Sequence, residues 1–169
     1  MSLSMYQASV PAFIQTLTAL SAILDKAEAY AAAKKIDQAT LVGARLYPDM
    51  FPLSRQIQIV CDFAKGATAR LSGKEVPNWA DTETTIPELK ARITKTLEFV
   101  KGYKASDIDG SEGRDISMKV AGNQMDFKGQ PYLVHFVLPN LYFHATTAYD
   151  ILRHNGLEIG KRDFLGMPG

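Results

Sequence analysis

The stretch that decides the fold is LPNLYFHATTAYDILRHNG, residues 138–156. Its apolar residues recur at helical spacing and form a single stripe, made of Leu141, Ala145, Ala148 and Leu152. Pro139 suits the first turn of a helix, where its missing N–H would have no partner anyway. Gly156 suits the residue just past the end, where the backbone often becomes left-handed. The pattern therefore predicts one amphipathic helix across this stretch.

The same helix carries the strongest chemical hint in the sequence. His144 lies at the edge of the apolar stripe, and Asn140 precedes it by one turn on the same face. One interpretation is a buried, neutral histidine that hydrogen-bonds to Asn140 or Asp62 inside the protein. The other is a ligand-binding or acid–base histidine in a metal-free pocket. Under either interpretation, His144 is the main candidate for a functional side chain.

Helical spacing of apolar residues predicts three further long helices, over about residues 9–33, 51–71 and 86–103. Ser9 is a candidate N-cap of the first, to which residues 4–8 could add a further helical turn, and a shorter helix is predicted over residues 38–46. At the start of the third, Thr85 and Glu88 have the spacing of a capping box. The charged residues of that helix are predicted to face water: Lys90, Arg92, Lys95, Glu98 and Lys101.

The segment before the last helix has a different period. Apolar and charged residues alternate over residues 115–120 and 124–128, and the intervening residues 121–123 contain a Gly-Asn pair suited to a tight turn. This pattern predicts a β-hairpin between the third and fourth long helices. Because an isolated hairpin is only marginally stable, we expect it to pack on the helices or on another subunit. The chain as a whole is predicted to be a mainly α, single-domain four-helix bundle spanning residues 1–169.

Composition limits the range of partners. The chain has 169 residues, a net charge of +1 and one cysteine, Cys61. Nearly balanced charge argues against nucleic-acid and anionic-membrane partners, which need concentrated positive charge. No segment is expected to span a bilayer, and the start of the chain does not have the pattern of a signal peptide. A lone cysteine, predicted to be a buried core thiol, fits the reducing cytoplasm, where we expect the protein to be located.

Polar residues form a second stripe on the second long helix. Arg55, Gln58 and Asp62 follow one another at helical spacing. They could form a solvated or partner-facing salt-bridge network, or they could line a cavity together with His144 and Asn140. Trp79 lies in the polar segment after this helix, where its ring could plug the end of the core or form a surface site.

Three stretches resemble the DinB/YfiT-like superfamily of four-helix bundles, and within it a branch of uncharacterised proteins with a domain of unknown function. They are SVPAFIQTLTALSAILDKA (residues 9–27), RLYPDMFPLSRQIQIVCDFAKG (45–66) and LPNLYFHATTAYDILRHNGLEIGKRDFLG (138–166). The resemblance implies an up-down-down-up bundle that often forms homodimers. It also implies a divalent metal held by one histidine of the second helix and an H-x-x-x-H pair of the last. Some superfamily members transfer low-molecular-weight thiols or isomerise small metabolites.

This sequence departs from the superfamily's metal pattern. Only the second histidine of the pair has a match, His144, and Asn140 stands at the first position. The second long helix contains no histidine. On one helix His144 and His154 would be about 15 Å apart, too far to share an ion. A metal set could at most combine His144 with Asp62 or Asp49, with His135 as a further candidate, so we expect no resident metal.

Three hypotheses follow from the sequence. The first is a dimeric cytoplasmic bundle that binds a small molecule in a metal-free pocket near His144, with Asn140, Arg55, Gln58 and Asp62 as pocket candidates. The second is a metal-dependent thiol transferase or hydrolase of the superfamily's usual kind. The third is a non-enzymatic, dimeric structural or interaction protein.

Overall fold

The computed structural model describes residues 3–120 and 122–167. Four long helices form the bundle: α1 (Met5–Lys34), α3 (Leu53–Leu71), α4 (Ile86–Lys101) and α7 (Leu138–His154). The shorter elements are α2 (Gln38–Val42), α5 (Ala105–Ile108), β1 (Asp115–Val120), β2 (Asn123–Lys128), α6 (Gly129–Pro131), a π-helical segment (Tyr132–Val137) and α8 (Lys161–Phe164). The predicted mainly α bundle with an inserted hairpin is confirmed.

The core is built from the predicted apolar stripes. In the bundle α3 packs against both α7 and α4, and α1 packs against α4. The stripe residues of α1, α3 and α7 are buried: Phe13, Leu17, Leu20, Leu24, Ala27 and Ala31; Leu53, Ile57, Val60, Ala64, Ala67 and Leu71; Leu141, Ala145, Ala148 and Leu152. Burial of these side chains supplies the main stabilising free energy of the bundle.

One candidate helix cap and one predicted helix end are wrong. Helix α1 begins at Met5, where Ser4 and Gln7 form a capping box, and the predicted cap Ser9 lies inside the helix. The Ser9 hydroxyl donates a hydrogen bond to the Met5 carbonyl over 2.6 Å, so this buried hydroxyl has a backbone partner within its own helix. Helix α2 ends at Val42, with Gly43 as its C-cap, and does not reach residue 46.

The β-hairpin packs on the bundle. This is the first of the two expected arrangements, in which the hairpin packs on the helices or on another subunit. Strands β1 and β2 pair antiparallel with Ile116 opposite Phe127. The Phe127 ring lies 5.1 Å from that of Phe136 and 5.7 Å from that of Tyr132, centroid to centroid. The hairpin is thus attached to the segment that leads into α7. Ala121, in the predicted turn, lies outside the described residues.

A π-helical segment joins the hairpin to α7. Pro139 has no N–H, so the carbonyl four residues earlier, that of His135, cannot receive the usual helical hydrogen bond. The helix widens over Tyr132–Val137 and returns to α-helical geometry at Leu138. At the other end, Asn155 and the left-handed Gly156 close α7 as predicted.

Helix α1 is long and apolar enough, by length and composition alone, to cross a membrane. The expectation that no segment spans a bilayer stays a prediction, because length and composition alone do not show a membrane span. Half of its most apolar window is buried in the bundle. Burial in a core accounts for the same composition, because a helix packed on several neighbours needs apolar residues on much of its surface.

A close backbone approach sets one test of this packing. A β-carbon at Gly129 would lie 1.9 Å from the Ser111 carbonyl oxygen, so Gly129→Ala must displace the hairpin from the preceding loop. We expect this substitution to lower the free energy of unfolding by about 2 kcal/mol in urea denaturation. The control is Gly113→Ala, since a β-carbon there meets nothing within 4 Å. Equal effects of the two substitutions would contradict the described contact.

Candidate functional site

His144 is a half-buried residue at the contact between α7 and α3. Its Nδ1 lies 2.7 Å from Oε1 of Gln56, a buried residue of α3. The Phe63 ring stacks beside the imidazole with a centroid distance of 6.2 Å, and the Phe143 ring meets it edge-on at 5.2 Å. The imidazole is therefore held in one orientation by a hydrogen bond and two aromatic rings.

The hydrogen bonds of Gln56 fix the tautomer of the neutral imidazole. Gln56 Nε2 donates to the Phe51 carbonyl oxygen over 3.0 Å, so the amide oxygen is the atom that faces His144. An amide oxygen only accepts hydrogen bonds, and His144 Nδ1 must then carry the proton. The lone pair of the neutral ring is left on Nε2.

The surroundings favour this neutral form. Burial lowers the pKa of His144 below its ordinary value, and the positive charge of Arg55 lowers the pKa further. A histidine with a lowered pKa stays uncharged at pH 7 and keeps an acceptor nitrogen. The arrangement can accept a hydrogen bond or take a proton at Nε2.

The partners predicted for His144 are wrong. The Asn140 side chain donates to the Phe136 carbonyl over 2.7 Å within its own helical run, and Asp62 pairs with other residues. Gln56 was missed as a partner. A signal for it exists in the sequence, because Gln56 lies three residues after Leu53 and four before Val60, at a core-facing position.

The polar stripe of α3 belongs to a different cluster. Residues 72–85, the strap, connect α3 to α4 and cross the outer side of the stripe. Arg55 pairs with Asp81 of the strap, and Gln58 Nε2 donates to Glu83 Oε2 over 2.9 Å. Gln58 and Asp62 are thus bonded to residues other than His144. Among the stripe residues, Arg55 is the one whose charge lowers the pKa of the imidazole.

Arg92 is the centre of this cluster. Its guanidinium bonds to the carboxylates of Asp62 at 3.0 Å, Asp81 at 3.1 Å and Glu83 at 3.1 Å, and to the Ala80 carbonyl at 2.9 Å. The Arg92 side chain is 2% exposed. The prediction that it faces water is wrong, because the strap covers this face of α4.

Trp79 lies against the same cluster. Its ring meets Phe99 edge-on at 5.9 Å, and the ammonium groups of Lys65 and Lys95 lie 4.6 and 4.3 Å from its centroid. The half-buried ring therefore packs the strap onto α4. Contacts between a cation and an aromatic face of this kind are attractive.

Cys61 is a core thiol, as predicted. The residue is fully buried, and burial raises the pKa of the thiol to about 12. Its hydrogen bond to Thr96 and the nearby Arg92 charge act in the opposite direction and are weaker. Such a thiol is protonated at neutral pH and is a poor nucleophile.

The donor set around His144 does not fit the superfamily's divalent metal. Within residues 3–120 and 122–167, no three histidine, cysteine, aspartate or glutamate side chains come together as metal ligands. Gln56 offers only an amide oxygen that already accepts the imidazole N–H, and the Asp62 carboxylate pairs with Arg92 and Lys65. His135 and His154 are exposed side chains on the π-helical segment and at the end of α7.

Comparisons with known proteins give a family and a fold. Residues 5–165 match a protein family described as a domain of unknown function, DUF1993. The chain is similar to a solved structure, the crystal structure of a DinB family member protein from Shewanella denitrificans. The two are 43% identical, the match covers 97% of this chain and 93% of that chain, and the TM-score is 0.85. No protein with a curated description matches. The predicted DinB-like architecture is confirmed.

The Arg92 cluster allows a direct stability test. Arg92→Met leaves three carboxylates without their shared cation, so we expect the free energy of unfolding to fall by about 2 kcal/mol; the partial exposure of the carboxylates keeps the loss below that of a fully buried pair. Lys101→Met, at an exposed position of the same helix, should change it by less than about 0.5 kcal/mol. Urea denaturation measures both, and an Arg92→Met protein as stable as wild type would contradict the structural role.

Proposed function

This chain belongs to the DUF1993 family, and we propose that it binds a small molecule at His144 without a resident metal ion. The observation that carries the proposal is the hydrogen bond between His144 Nδ1 and Gln56 Oε1. It leaves Nε2 of a half-buried, neutral imidazole as an acceptor. A ligand with an O–H, S–H or N–H group is the complement of that nitrogen.

Exposed aromatic residues support a binding surface next to the imidazole. Phe143, which contacts His144 edge-on, is 57% exposed. Phe51, whose carbonyl oxygen accepts the second hydrogen bond of the Gln56 amide, is 53% exposed. Large apolar side chains at the surface favour contact with the apolar part of a ligand. We therefore propose a ligand that combines a proton donor with an apolar group.

Arg55 adds a preference for negative charge. Its guanidinium lowers the pKa of His144 through space, so an anionic group on a ligand would be attracted to the same region. Asp81 neutralises part of this charge. The combination suits a small hydroxy or mercapto carboxylic acid, with the donor on Nε2 and the carboxylate towards Arg55.

The neutral imidazole also allows acid–base chemistry. An unprotonated Nε2 can take a proton from a bound ligand, and the Gln56 carbonyl oxygen would hold the resulting imidazolium through its Nδ1–H. A metal-dependent transferase needs ligands that the described residues do not bring to His144. The expected homodimer and cytoplasmic location stay predictions.

The test is a binding experiment in EDTA. Lactate, mercaptoacetate and phenyllactate serve as probes, and saturation-transfer NMR measures the dissociation constants for wild type and His144→Gln. We expect one or more probes to bind wild type and to bind His144→Gln about tenfold more weakly, because the acceptor nitrogen is lost. Binding should also weaken as the pH falls through the pKa of His144, since the imidazolium has no lone pair.

His154→Gln is the matched control, because His154 is exposed on the same helix near its other end and should leave binding unchanged. Two outcomes would overturn the proposal. One is that no probe binds in EDTA. The other is stoichiometric zinc, nickel or manganese in the purified protein that is lost in His144→Gln, which would favour the metal-dependent alternative.

A further inference from the structure

A separate cavity lies between the strap and α4. It has a volume of about 500 Å³, and its lining includes Trp79, Ala80, Ala91, Arg92 and Lys95. None of these residues contacts His144 through a hydrogen bond or an aromatic pair. We propose that this cavity binds a small organic monocarboxylate, independently of the site at His144.

The first reason is an unused donor on Arg92. The terminal nitrogens of the guanidinium are occupied by Ala80 and by three carboxylates, whereas Nε is buried and has no hydrogen-bond partner among the described residues. The Arg92 side chain, which carries this nitrogen, is only 2% exposed. A buried N–H without a partner destabilises the folded protein, and a bound acceptor would remove that cost.

The second reason is the ammonium group of Lys95. It lies 4.3 Å from the centroid of the Trp79 ring, at the edge of the same cavity. Within the part of the chain that the structure describes, no carboxylate lies within ion-pair distance of Lys95. The cavity is therefore bordered by the free positive charge of Lys95 and by Arg92, whose buried Nε–H has no partner among the described residues.

The acidic residues of the lining are already used by the protein. Glu83 accepts from Arg92 with one oxygen and from Gln58 with the other. Glu88 accepts from the backbone N–H groups of Thr84 and Thr85 as part of the capping box of α4. Since both oxygens of Glu83 accept hydrogen bonds and the described residues give Lys95 no ion-pair partner, the complementary ligand brings an acceptor. A single carboxylate fits, whereas a second would meet the negative charges of Glu83 and Glu88.

The rest of the lining selects an apolar body. The Trp79 ring and the methyl groups of Ala80 and Ala91 give the cavity an apolar wall. The volume far exceeds that of a bare carboxylate, so a short alkyl chain can lie on this wall. Butyrate combines both features and serves as the probe.

The experiment uses the fluorescence of Trp79, the single tryptophan of the chain. Wild-type protein is titrated with sodium butyrate, with sodium chloride at equal ionic strength as reference and with butyramide as the uncharged analogue. We expect a saturable change in Trp79 emission with butyrate alone. Arg92 Nε–H, followed by ¹⁵N NMR, should shift over the same concentration range.

Two variants of α4 complete the test. Lys95→Gln removes the free charge and should raise the butyrate dissociation constant about fivefold or more, and Lys101→Gln, remote from the cavity, should leave it unchanged. The proposal is overturned if butyrate gives no saturable change, if butyramide matches it, or if Lys95→Gln binds as wild type does. Retention of butyrate binding in His144→Gln is expected, which keeps this result distinct from the proposed function.

Discussion

The position of the strap on the helices depends on the burial of one positive charge, the guanidinium of Arg92. Placing an unpaired guanidinium in a protein interior would cost several kcal/mol. The chain avoids this cost with carboxylates from two directions: Asp62 from α3, and Asp81 and Glu83 from the strap. Removal of the carboxylates on either side would leave Arg92 with less negative charge around it. The strap is therefore held to the helices by the need to neutralise Arg92.

This constraint divides the polar residues of α3 between two faces. On the outer face, Gln58 and Asp62 are occupied by the strap and by Arg92, so they are unavailable to a ligand in the bundle core. On the inner face, Gln56 contacts α7 and orients His144. The candidate site is consequently smaller than the sequence suggests: an imidazole, an amide and aromatic rings, with the charge of Arg55 near them.

Periodicity predicted most of the fold. The apolar stripes of α1, α3 and α7 are buried as expected, and the alternation around Gly122 gives the hairpin. Arg92 was misassigned because a helical wheel cannot show that a following or preceding loop covers the polar face. The π-helical segment could not be predicted either, because a proline in a helical run can be accommodated by a kink, a break or a widened turn. Gln56 was not predicted as a partner of His144 because it lies beside the regular polar stripe of α3, and a polar residue next to such a stripe is usually assigned to the solvent-facing side.

The role of the hydrogen bond between His144 and Gln56 is tested most directly by the protonation state of His144 in ¹⁵N-labelled protein, followed by NMR from about pH 4 to pH 8. We expect a neutral ring with the proton on Nδ1 at pH 7, and a pKa below the ordinary value of about 6.5. With a lowered pKa in the folded state, His144 binds a proton more readily in the unfolded chain. The contribution of His144 to the free energy of unfolding should therefore be lost as the pH falls from about 6.5 through its folded-state pKa. Gln56→Leu should remove the preference for the Nδ1 proton. A ring protonated on Nε2 alone, or an imidazolium at pH 7, would contradict the described hydrogen bond and the proposed function.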